Sequence, residues 1–241
     1  MGNRNDLRFI LAVSVAIILI SLVRECKAQS VPLVRVCHDA FVSYYDIEKH
    51  NPAMVVYELS AAHFAGNVKP ATRHFKADTK LPRPRVKDSD YKNTGYVRGH
   101  LCSAADRDSN KAWLKQTYLT SNLVPMTMVC NSGEWKKVED ACRDHAEGGH
   151  VLVIARGPLY NVPRCITGSG ITIAIPDGFF CAAQCRNCRY RLFAAASNTM
   201  SRVLTDLSYI QGVYNKDERI GVLLANCIGT WSQEEYETIT R

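Results

Sequence analysis

The sequence predicts a single domain of the mixed α+β class, and three observations lead to this prediction. The chain has 241 residues, enough for one good-sized domain, and its composition is typical of globular proteins, with 46% hydrophobic and 22% charged residues. Short apolar segments that predict strands lie on both sides of segments with helical character. No internal repeat, low-complexity stretch or linker divides the chain, so one mixed domain is the economical interpretation.

The N-terminus has the pattern of an export signal. Two arginines precede Phe9–Val23, a run of fifteen residues without a charge, and a small residue, Ala28, follows shortly after it. This run is shorter than the roughly 20 apolar residues of a transmembrane helix. We therefore predict a secretory signal peptide over residues 1–28 and a secreted domain over residues 29–241. An uncleaved membrane anchor is an alternative, and a mitochondrial presequence, which is usually amphipathic and poor in acidic residues, is another.

Charge and cysteine content narrow the function only a little. The net charge of +7 becomes +5 when residues 1–28, with four basic and two acidic residues, are removed. This excess favours a polyanionic partner but is common in proteins that bind no nucleic acid. Nine of the ten cysteines lie after residue 28. In a secreted chain they predict disulfides, and their odd number leaves at least one free or paired to another chain.

Three cysteines lie close together, Cys181, Cys185 and Cys188, with the spacing C-x3-C-x2-C. A zinc knuckle would need a fourth ligand, and no nearby histidine or cysteine offers one at the usual spacing. Disulfide partners around a hairpin are the favoured interpretation.

The first half of the chain carries few strong element signals. Its predicted order is a lead-in over residues 29–52, a strand over Met54–Leu59, a long ordered loop over residues 66–95, a short strand over Tyr96–Leu101, a helical segment over Asp106–Tyr118 and an irregular stretch over Tyr118–Val129 that contains Pro125. Loops as long as 66–95 inside compact domains are usually functional.

A helix is predicted over Asn131–His145. Asn131 or Ser132 can cap it, and Gly148 with Gly149 ends it. Its face of Asn131, Trp135, Val138, Glu139 and Cys142 combines apolar residues with an amide and a carboxylate, which need partners or a metal when buried. The second half then predicts strands over Val151–Ala155, Ile171–Ile175, Tyr190–Ala196 and Ile220–Leu224, with a helix near residues 200–212.

Four polar residues in this pattern are candidates for a site, although each alone has an ordinary structural interpretation. His100 alone is more often a structural histidine, and Asn131 is most simply a helix cap. Asn122 before Leu-Val-Pro can shape a turn, and Glu139 can be a surface charge.

Together, however, they stand within segments that resemble one family in order and spacing. Tyr96-Val97-Arg98-Gly99-His100-Leu101 resembles the D-R-G-H motif of the DNA/RNA non-specific endonucleases, the ββα-metal nucleases, which have secreted and mitochondrial members. Further matching segments are Thr72-Arg73-His74-Phe75, Tyr118-Leu119-Thr120-Ser121-Asn122 through Pro125, Asn131-Ser132-Gly133-Glu134-Trp135 with Glu139, Gly157-Pro158-Leu159-Tyr160, and Ile175-Pro176 with Phe179-Phe180. The resemblance covers about residues 57–224.

This resemblance implies a fold, a reaction and a metal. The fold is the ββα-metal nuclease fold, with a central antiparallel sheet flanked by helices. The reaction is endonucleolytic hydrolysis of phosphodiester bonds in DNA and RNA with little sequence preference. His100 is the implied general base, since an imidazole titrates near neutral pH. Asn131 is the implied ligand of a divalent cation, Mg²⁺ or Mn²⁺, which neutralises developing charge and keeps most of its waters.

The other site residues have supporting roles in this interpretation. Glu139 holds metal-bound waters, and Arg73 pairs with phosphate oxygens as a guanidinium fork. Arg98 does the same or shapes the site, and Asn122 fixes the local hydrogen bonds. No small-molecule cofactor and no stable membrane contact of the cleaved chain are expected, and a homodimer is an open alternative to a monomer. Several basic side chains are candidates for lining the approach to the site: Arg83, Arg85, Lys87, Lys136 and Lys137.

Two departures from the family pattern motivate competing hypotheses. Val97 stands where the family usually has aspartate, and Ser103 stands where it usually has proline. The loss of a carboxylate near the metal suggests, as a second hypothesis, a nuclease-like protein that binds nucleic acid without cutting it. A cysteine-rich structural protein of the cell exterior is a third hypothesis, but it does not account for the matching segments.

Overall fold

The structure is a computed structural model that describes residues 31–198 apart from 65, 67 and 69–73, together with the backbone of 203–204 and with Arg219. The chain divides into two compact units, Met1–Pro32 and Leu33–Arg241. The first unit lies almost wholly outside the described residues, and so does the signal peptide predicted over residues 1–28. The second unit contains every element described below.

A seven-stranded antiparallel sheet forms the centre of the second unit. Its strands in chain order are β1 (Val34–Cys37), β2 (Val42–Asp46), β3 (Asn51–Leu59), β6 (Leu152–Leu159), β9 (Gly178–Cys185), β10 (Arg191–Ser197) and β11 (Val203–Leu204), and this is also their spatial order. Two smaller antiparallel pairs accompany it, β4 (Val97–His100) with β5 (Leu123–Met126) and β7 (Cys165–Thr167) with β8 (Thr172–Ala174). The predicted α+β class with a central antiparallel sheet is confirmed.

Four α-helices belong to the described elements: α1 (Ala61–Phe64), α2 (Lys111–Thr117), α3 (Met128–Ser132) and α4 (Glu134–Glu147). Three short 3₁₀ helices complete them: Asp88–Tyr91, Ala104–Arg107 and Thr120–Asn122. The long helix α4 covers one face of the sheet because Trp135, Val138 and Cys142 recur at helical spacing and are all buried. Alternate residues of β9 enter two different hydrophobic clusters, Phe179 with Cys181 on the helix side and Phe180 with Ala182 in the other cluster. This burial on both faces explains why the inner strand β9 is almost continuously apolar.

The helix predicted over Asn131–His145 is in fact two helices, and this part of the prediction was wrong. Thr127 caps α3, since its hydroxyl oxygen accepts a hydrogen bond from the Cys130 backbone N–H at 3.2 Å. Gly133, with φ −105° and ψ −110°, leaves the helical region and separates α3 from α4. Asn131 therefore lies inside a short helix and caps nothing, which leaves its side chain available for another role. The predicted end at Gly148 is confirmed.

Four other element predictions need correction. The lead-in 29–52 contains the β1–β2 hairpin, and the stretch 118–129 contains β5 and the start of α3. Pro125 is tolerated in β5 because a two-stranded sheet gives each strand one unpaired edge, where a missing N–H costs little. The inner strand β9 was not predicted, because its phenylalanines and cysteines show no alternation. Val203–Leu204 extends the sheet, where a helix was expected, and the strand predicted over Ile220–Leu224 lies outside the described residues.

Candidate active site

A cleft of about 560 Å³ opens where the β4–β5 pair meets helices α3 and α4. The residues that line it include Arg98, His100, Asn131, Lys136, Glu139 and Arg143. The cleft therefore brings together His100, Arg98, Asn131 and Glu139 from the predicted site residues. Asn122 does not line the cleft, and Arg73 lies outside the described residues.

His100 ends β4, and its ring is held between aromatic neighbours. The ring centroid lies 5.8 Å from that of Phe75 and 5.2 Å from that of Tyr118, with Tyr118 edge-on. The indole N–H of Trp135 donates to the His100 carbonyl oxygen at 3.1 Å, which ties the end of β4 to α4. The preceding residue, Gly99, faces Met126, whose side chain would lie 2.5 Å from an added Cβ. Glycine therefore allows β4 to approach β5 closely.

Asn122 is fully buried, and its side chain joins two segments of backbone through hydrogen bonds. Its Oδ1 accepts from the Cys102 backbone N–H at 2.7 Å, and its Nδ2 donates to the carbonyl oxygens of Cys102 and Thr117, both at 2.9 Å. Its own carbonyl oxygen accepts from the Leu101 N–H. These bonds fix the backbone that directly follows His100. Asn122 therefore supports the cleft, although its side chain is not among the lining residues.

Asn131 lies on α3 with its side chain partly exposed to the cleft. Its backbone N–H donates to the Thr127 carbonyl oxygen at 3.0 Å, which anchors it to the first turn of the helix. Within the described part of the chain, no hydrogen bond to its carboxamide is present. The amide oxygen is therefore available to a ligand in the cleft.

Glu139 extends from α4 into the same cleft and is 13% exposed. The Ser103 hydroxyl donates to its Oε2 at 3.1 Å, and the Arg156 guanidinium lies 3.9 Å from its Oε1. Burial raises the pKa of Glu139 to about 7, and Asp106 adds to this rise, although Arg156 and Arg143 oppose it. The side chain is therefore only partly ionised near neutral pH, and it can accept hydrogen bonds through its oxygens.

A buried group of charges lies directly beneath Glu139. Asp106 accepts from Arg143 at 2.6 Å and from the Tyr57 hydroxyl at 2.6 Å, and Arg156 lies 3.4 Å from its second oxygen. Arg156 is fully buried on β6 and also donates to the Leu101 carbonyl oxygen at 3.3 Å. Because buried charges must be paired, this group fixes the position of Arg143 and Glu139 at the floor of the cleft.

Sequence reasoning missed Asp106, Arg143 and Arg156. Arg156 had a readable signal, since it interrupts an apolar strand, and a charged residue there predicts a buried partner. Arg143 also had one, because it lies four residues after Glu139 on the same helix face. Asp106 had none, since its partners come from distant segments.

The chain is similar in sequence to the members of one protein family. The family model described as DNA/RNA non-specific endonuclease matches residues 27–219. The chain belongs to this family. The match begins well before residue 57, where the resemblance of the motifs began.

Individual relatives in the family are distant and longer. The chain is 30% identical over 116 residues to "Nuclease EXOG, mitochondrial" of Xenopus laevis, covering 48% of this chain and 32% of that protein. It is 33% identical over 126 residues to "Nuclease" of Nostoc sp., covering 52% of this chain and 45% of that protein. The chain thus spans a third to a half of the length of these relatives.

A solved structure supports the fold assignment. A chain in the crystal structure of the EndoG/EndoGI complex superposes with a TM-score of 0.65 at 20% identity, covering 75% of this chain and 83% of that one. The ββα-metal nuclease fold predicted from the motifs is confirmed.

In the described part of the chain, no helix combines the length and the apolar content that crossing a membrane requires.

The two residues that depart from the family pattern both lie at the cleft. Val97, in place of aspartate, lines the cleft and packs partly against the core. Ser103, in place of proline, gives Glu139 its hydroxyl donor. Arg98 forms an ion pair with Asp88 at 2.8 Å and lies over the rings of Phe75 and Tyr91, at 5.5 Å and 5.4 Å. These contacts favour the shaping role for Arg98.

The basic side chains expected along the approach divide into separate places. Only Lys136 lines the cleft, next to Asp140, with which it forms an ion pair. Lys137 is not among the lining residues and pairs with Glu134 at 3.0 Å. Arg83, Arg85 and Lys87 line a second cavity of about 620 Å³.

Proposed function

We propose that this chain is a divalent-metal-dependent endonuclease that hydrolyses phosphodiester bonds of DNA and RNA with little sequence preference. The observation that carries the proposal is the single cleft lined by His100, Asn131 and Glu139. An imidazole, an amide oxygen and a carboxylate in one cleft supply a proton acceptor and hard oxygen donors for a cation. Membership of the non-specific endonuclease family supports the same activity.

His100 is the proposed general base. Water must lose a proton as it attacks phosphorus, and an imidazole can accept that proton near neutral pH. The aromatic contacts of Phe75 and Tyr118 restrict the ring, so less conformational freedom is lost when substrate binds. The bond from Trp135 to the His100 carbonyl oxygen supports the same fixed orientation.

The residues of the cleft fit a small, hard cation. Asn131 offers an amide oxygen with no described hydrogen-bond partner, and Glu139 offers a carboxylate within the same cleft. Mg²⁺ and Mn²⁺ prefer oxygen ligands and need few from the protein, because they retain water. When bound, such a cation supplies charge neutralisation for the phosphoryl group and the leaving oxygen. Asn131 is its proposed ligand, and Glu139 accepts hydrogen bonds from its waters.

Substrate contacts are proposed to be mainly with phosphate. Arg143, Lys136 and Arg98 are basic side chains that line the cleft. Arg73, two residues before Phe75 in the sequence, is expected to contribute a further guanidinium. Phosphate contacts position a nucleic acid without reading its bases, which agrees with low sequence preference. Both DNA and RNA present this backbone.

The activity is tested by incubating the full chain with supercoiled plasmid and with a structured RNA, in Mg²⁺ and in excess chelator. We expect both polymers to be degraded in Mg²⁺ and to stay intact in chelator. The Asn131→Ala variant should need a higher Mg²⁺ concentration for half-maximal rate, whereas Ser132→Ala, one residue along the same short helix, should not. Cleavage that proceeds equally well in chelator would refute the metal requirement.

A nuclease-like protein that binds without cutting is the second candidate, and Val97 is the observation that favours it. The side chain in the cleft at that position is apolar, so one carboxylate fewer faces the cation. Fluorescence anisotropy with labelled DNA separates the two candidates. Binding with no product over long incubation in Mg²⁺ or Mn²⁺ would select this second candidate.

We propose secretion as the localisation, on the basis of the export pattern in residues 1–28. The relatives named as mitochondrial support a mitochondrial location as the alternative. Mass spectrometry of the mature N-terminus, with fractionation of the producing cell, distinguishes the two. A chain that starts at residue 29 in the medium is the expected result, and one recovered from mitochondria would contradict it.

A further inference from the structure

A second group of potential metal ligands lies at the far end of helix α4. The group consists of His145, His150, Cys185 and Cys188, each with one nitrogen or sulfur that lies within 4.8 Å of the others. His145 stands in the last turn of α4, and His150 precedes β6. Cys185 is the last residue of β9, and Cys188 lies in the turn between β9 and β10. None of the four lines the catalytic cleft.

One contact within this group has the dimension expected between two ligands of a zinc ion. Cys188 Sγ lies 3.5 Å from His145 Nε2. Bonds of about 2.3 Å to sulfur and about 2.05 Å to nitrogen at a tetrahedral angle would separate these two atoms by about 3.6 Å. Two thiolates and two imidazoles are also the donor set that Zn²⁺ prefers over harder cations.

The position of His150 is an independent sign of a ligand. Its Nδ1 is buried and has no hydrogen-bond partner in the described part of the chain. Its ring stacks on that of His145 at 4.4 Å, and the His145 ring stacks on Tyr190 at 3.7 Å, which holds both imidazoles in place. A buried imidazole nitrogen without a partner is costly unless a cation or another donor satisfies it.

The surrounding backbone is organised around the same point. Asn187, in the β9–β10 turn, accepts from the Val151 N–H at 3.1 Å and donates to the Gly149 carbonyl oxygen at 3.2 Å. The Arg186 N–H donates to the Val151 carbonyl oxygen at 2.8 Å. These bonds fix the turn against the segment that carries His150, so the ligands are already close before any metal binds.

The sequence contains both halves of this pattern. Cys185 and Cys188 have the spacing C-x2-C, and His145 and His150 have the spacing H-x4-H, both within the ranges usual for zinc sites. The zinc interpretation of these cysteines lacked a fourth ligand in the sequence. Cys181 is not a member, since its sulfur faces Cys142 at 3.9 Å inside the core. The two histidines, about 35 residues upstream, complete the set only in the fold.

The sulfurs of Cys185 and Cys188 are bonded to each other in this structure, which confirms the expected disulfide around a hairpin. The same two sulfurs serve a metal when they are thiolates. We propose that the reduced chain binds one Zn²⁺ through His145, His150, Cys185 and Cys188. The ion joins the end of α4 to the β9–β10 hairpin and stabilises the fold, independently of the cation in the catalytic cleft.

The test is the metal content of the full chain purified with a phosphine reductant and zinc chloride, then freed of loose metal by gel filtration. We expect about one zinc per chain, and less than about a tenth in the Cys185→Ser/Cys188→Ser variant. Cys165→Ser removes an exposed free cysteine elsewhere and should keep the zinc. Cobalt in place of zinc should give the visible bands of a tetrahedral ion and a sulfur-to-cobalt charge-transfer band, which an oxygen-ligated catalytic cation cannot give.

Three results would overturn this proposal. The first is a reduced chain, with both thiols titratable, that retains no zinc and gives no cobalt–thiolate band. The second is zinc that stays bound in the double serine variant or in His150→Ala. The third is a chain in which Cys185 and Cys188 remain disulfide-bonded throughout reduction and no zinc is retained. If the variants fold poorly, the cobalt spectrum of the unaltered chain still decides.

Discussion

At the scale of single residues, Glu139 shows how a site residue can oppose stability. Burial raises the pKa of its carboxyl to about 7, so the folded protein favours the protonated form. In the unfolded chain this group titrates near its ordinary value of 4.5. Its ionisation therefore costs folding free energy progressively as pH rises from about 4.5 to 7, and the full cost is present above that range.

Glu139→Gln should consequently stabilise the fold while it removes activity. At pH 8 and in chelator, we expect the variant to be more stable by roughly 3 kcal/mol, since the pKa rises from 4.5 to about 7 and each pKa unit corresponds to about 1.4 kcal/mol. The difference should shrink toward zero as pH falls to about 4, below the ordinary pKa of the carboxyl. Chemical denaturation at several pH values measures this. A variant less stable than the parent at pH 8 would show that the attraction of the Arg156 and Arg143 guanidinium groups for the carboxylate outweighs the cost of its burial.

The identities of the cleft residues were predictable from the sequence, but their supports were not. His100, Asn131 and Glu139 stand in motifs whose order and spacing point to one site, and the fold brings them to one cleft. The pairing of Asp106 with Arg156 could not be inferred, because it depends on distant segments that meet only after folding. The position of Arg73 relative to the cleft stays a prediction.

At the scale of elements, the short helix α3 sets the direction of Asn131. Sequence periodicity joined it to α4, since neither Ser132 nor Gly133 marks a break by composition alone. The break arises because Thr127 caps one helix and the backbone at Gly133 leaves the helical region before the next begins. Helix boundaries of this kind depend on capping geometry, which a hydrophobic pattern does not encode.

Thr127→Ala is therefore expected to affect both stability and metal use. The loss of the cap should cost about 1 kcal/mol of unfolding free energy. It should also raise the Mg²⁺ concentration for half-maximal cleavage, because Asn131 lies on the turn that the cap holds. Thr127→Ser keeps a capping hydroxyl and should restore both values. If the alanine variant and the parent need the same Mg²⁺ concentration, the cap of α3 has no effect on metal binding.

At the scale of the whole molecule, the sequence predicted the fold class but not the order of the strands. The fold class was predictable because strand and helix signals were mixed and the motifs pointed to one family. The sheet order was not predictable, since its inner strand β9 shows no alternation and pairs with β6, from which a long connection separates it in the chain. Lys136 and Arg143 lie at the cleft, whereas Arg83, Arg85 and Lys87 lie at another cavity.

Substrate binding should weaken steeply with salt, because phosphate contacts release counterions from the nucleic acid. We expect KM for plasmid to rise several-fold between about 50 and 200 mM salt, with a smaller change in kcat. Lys136→Gln should reduce this salt dependence, whereas Lys137→Gln, which removes a charge outside the cleft, should leave it unchanged. A KM that does not vary with salt would argue against phosphate as the main contact.

The central claim is that His100 is the general base of a metal-dependent nuclease, and one rate comparison tests it most directly. The measurement is the rate of plasmid nicking at saturating Mg²⁺ by the parent chain, by His100→Ala and by His50→Asn. His50 lies outside the cleft and has a positive φ of 51°, which asparagine tolerates. Loss of a general base predicts a rate about 10²–10⁴-fold lower for His100→Ala and an unchanged rate for His50→Asn. Full activity of a folded His100→Ala variant would contradict the claim.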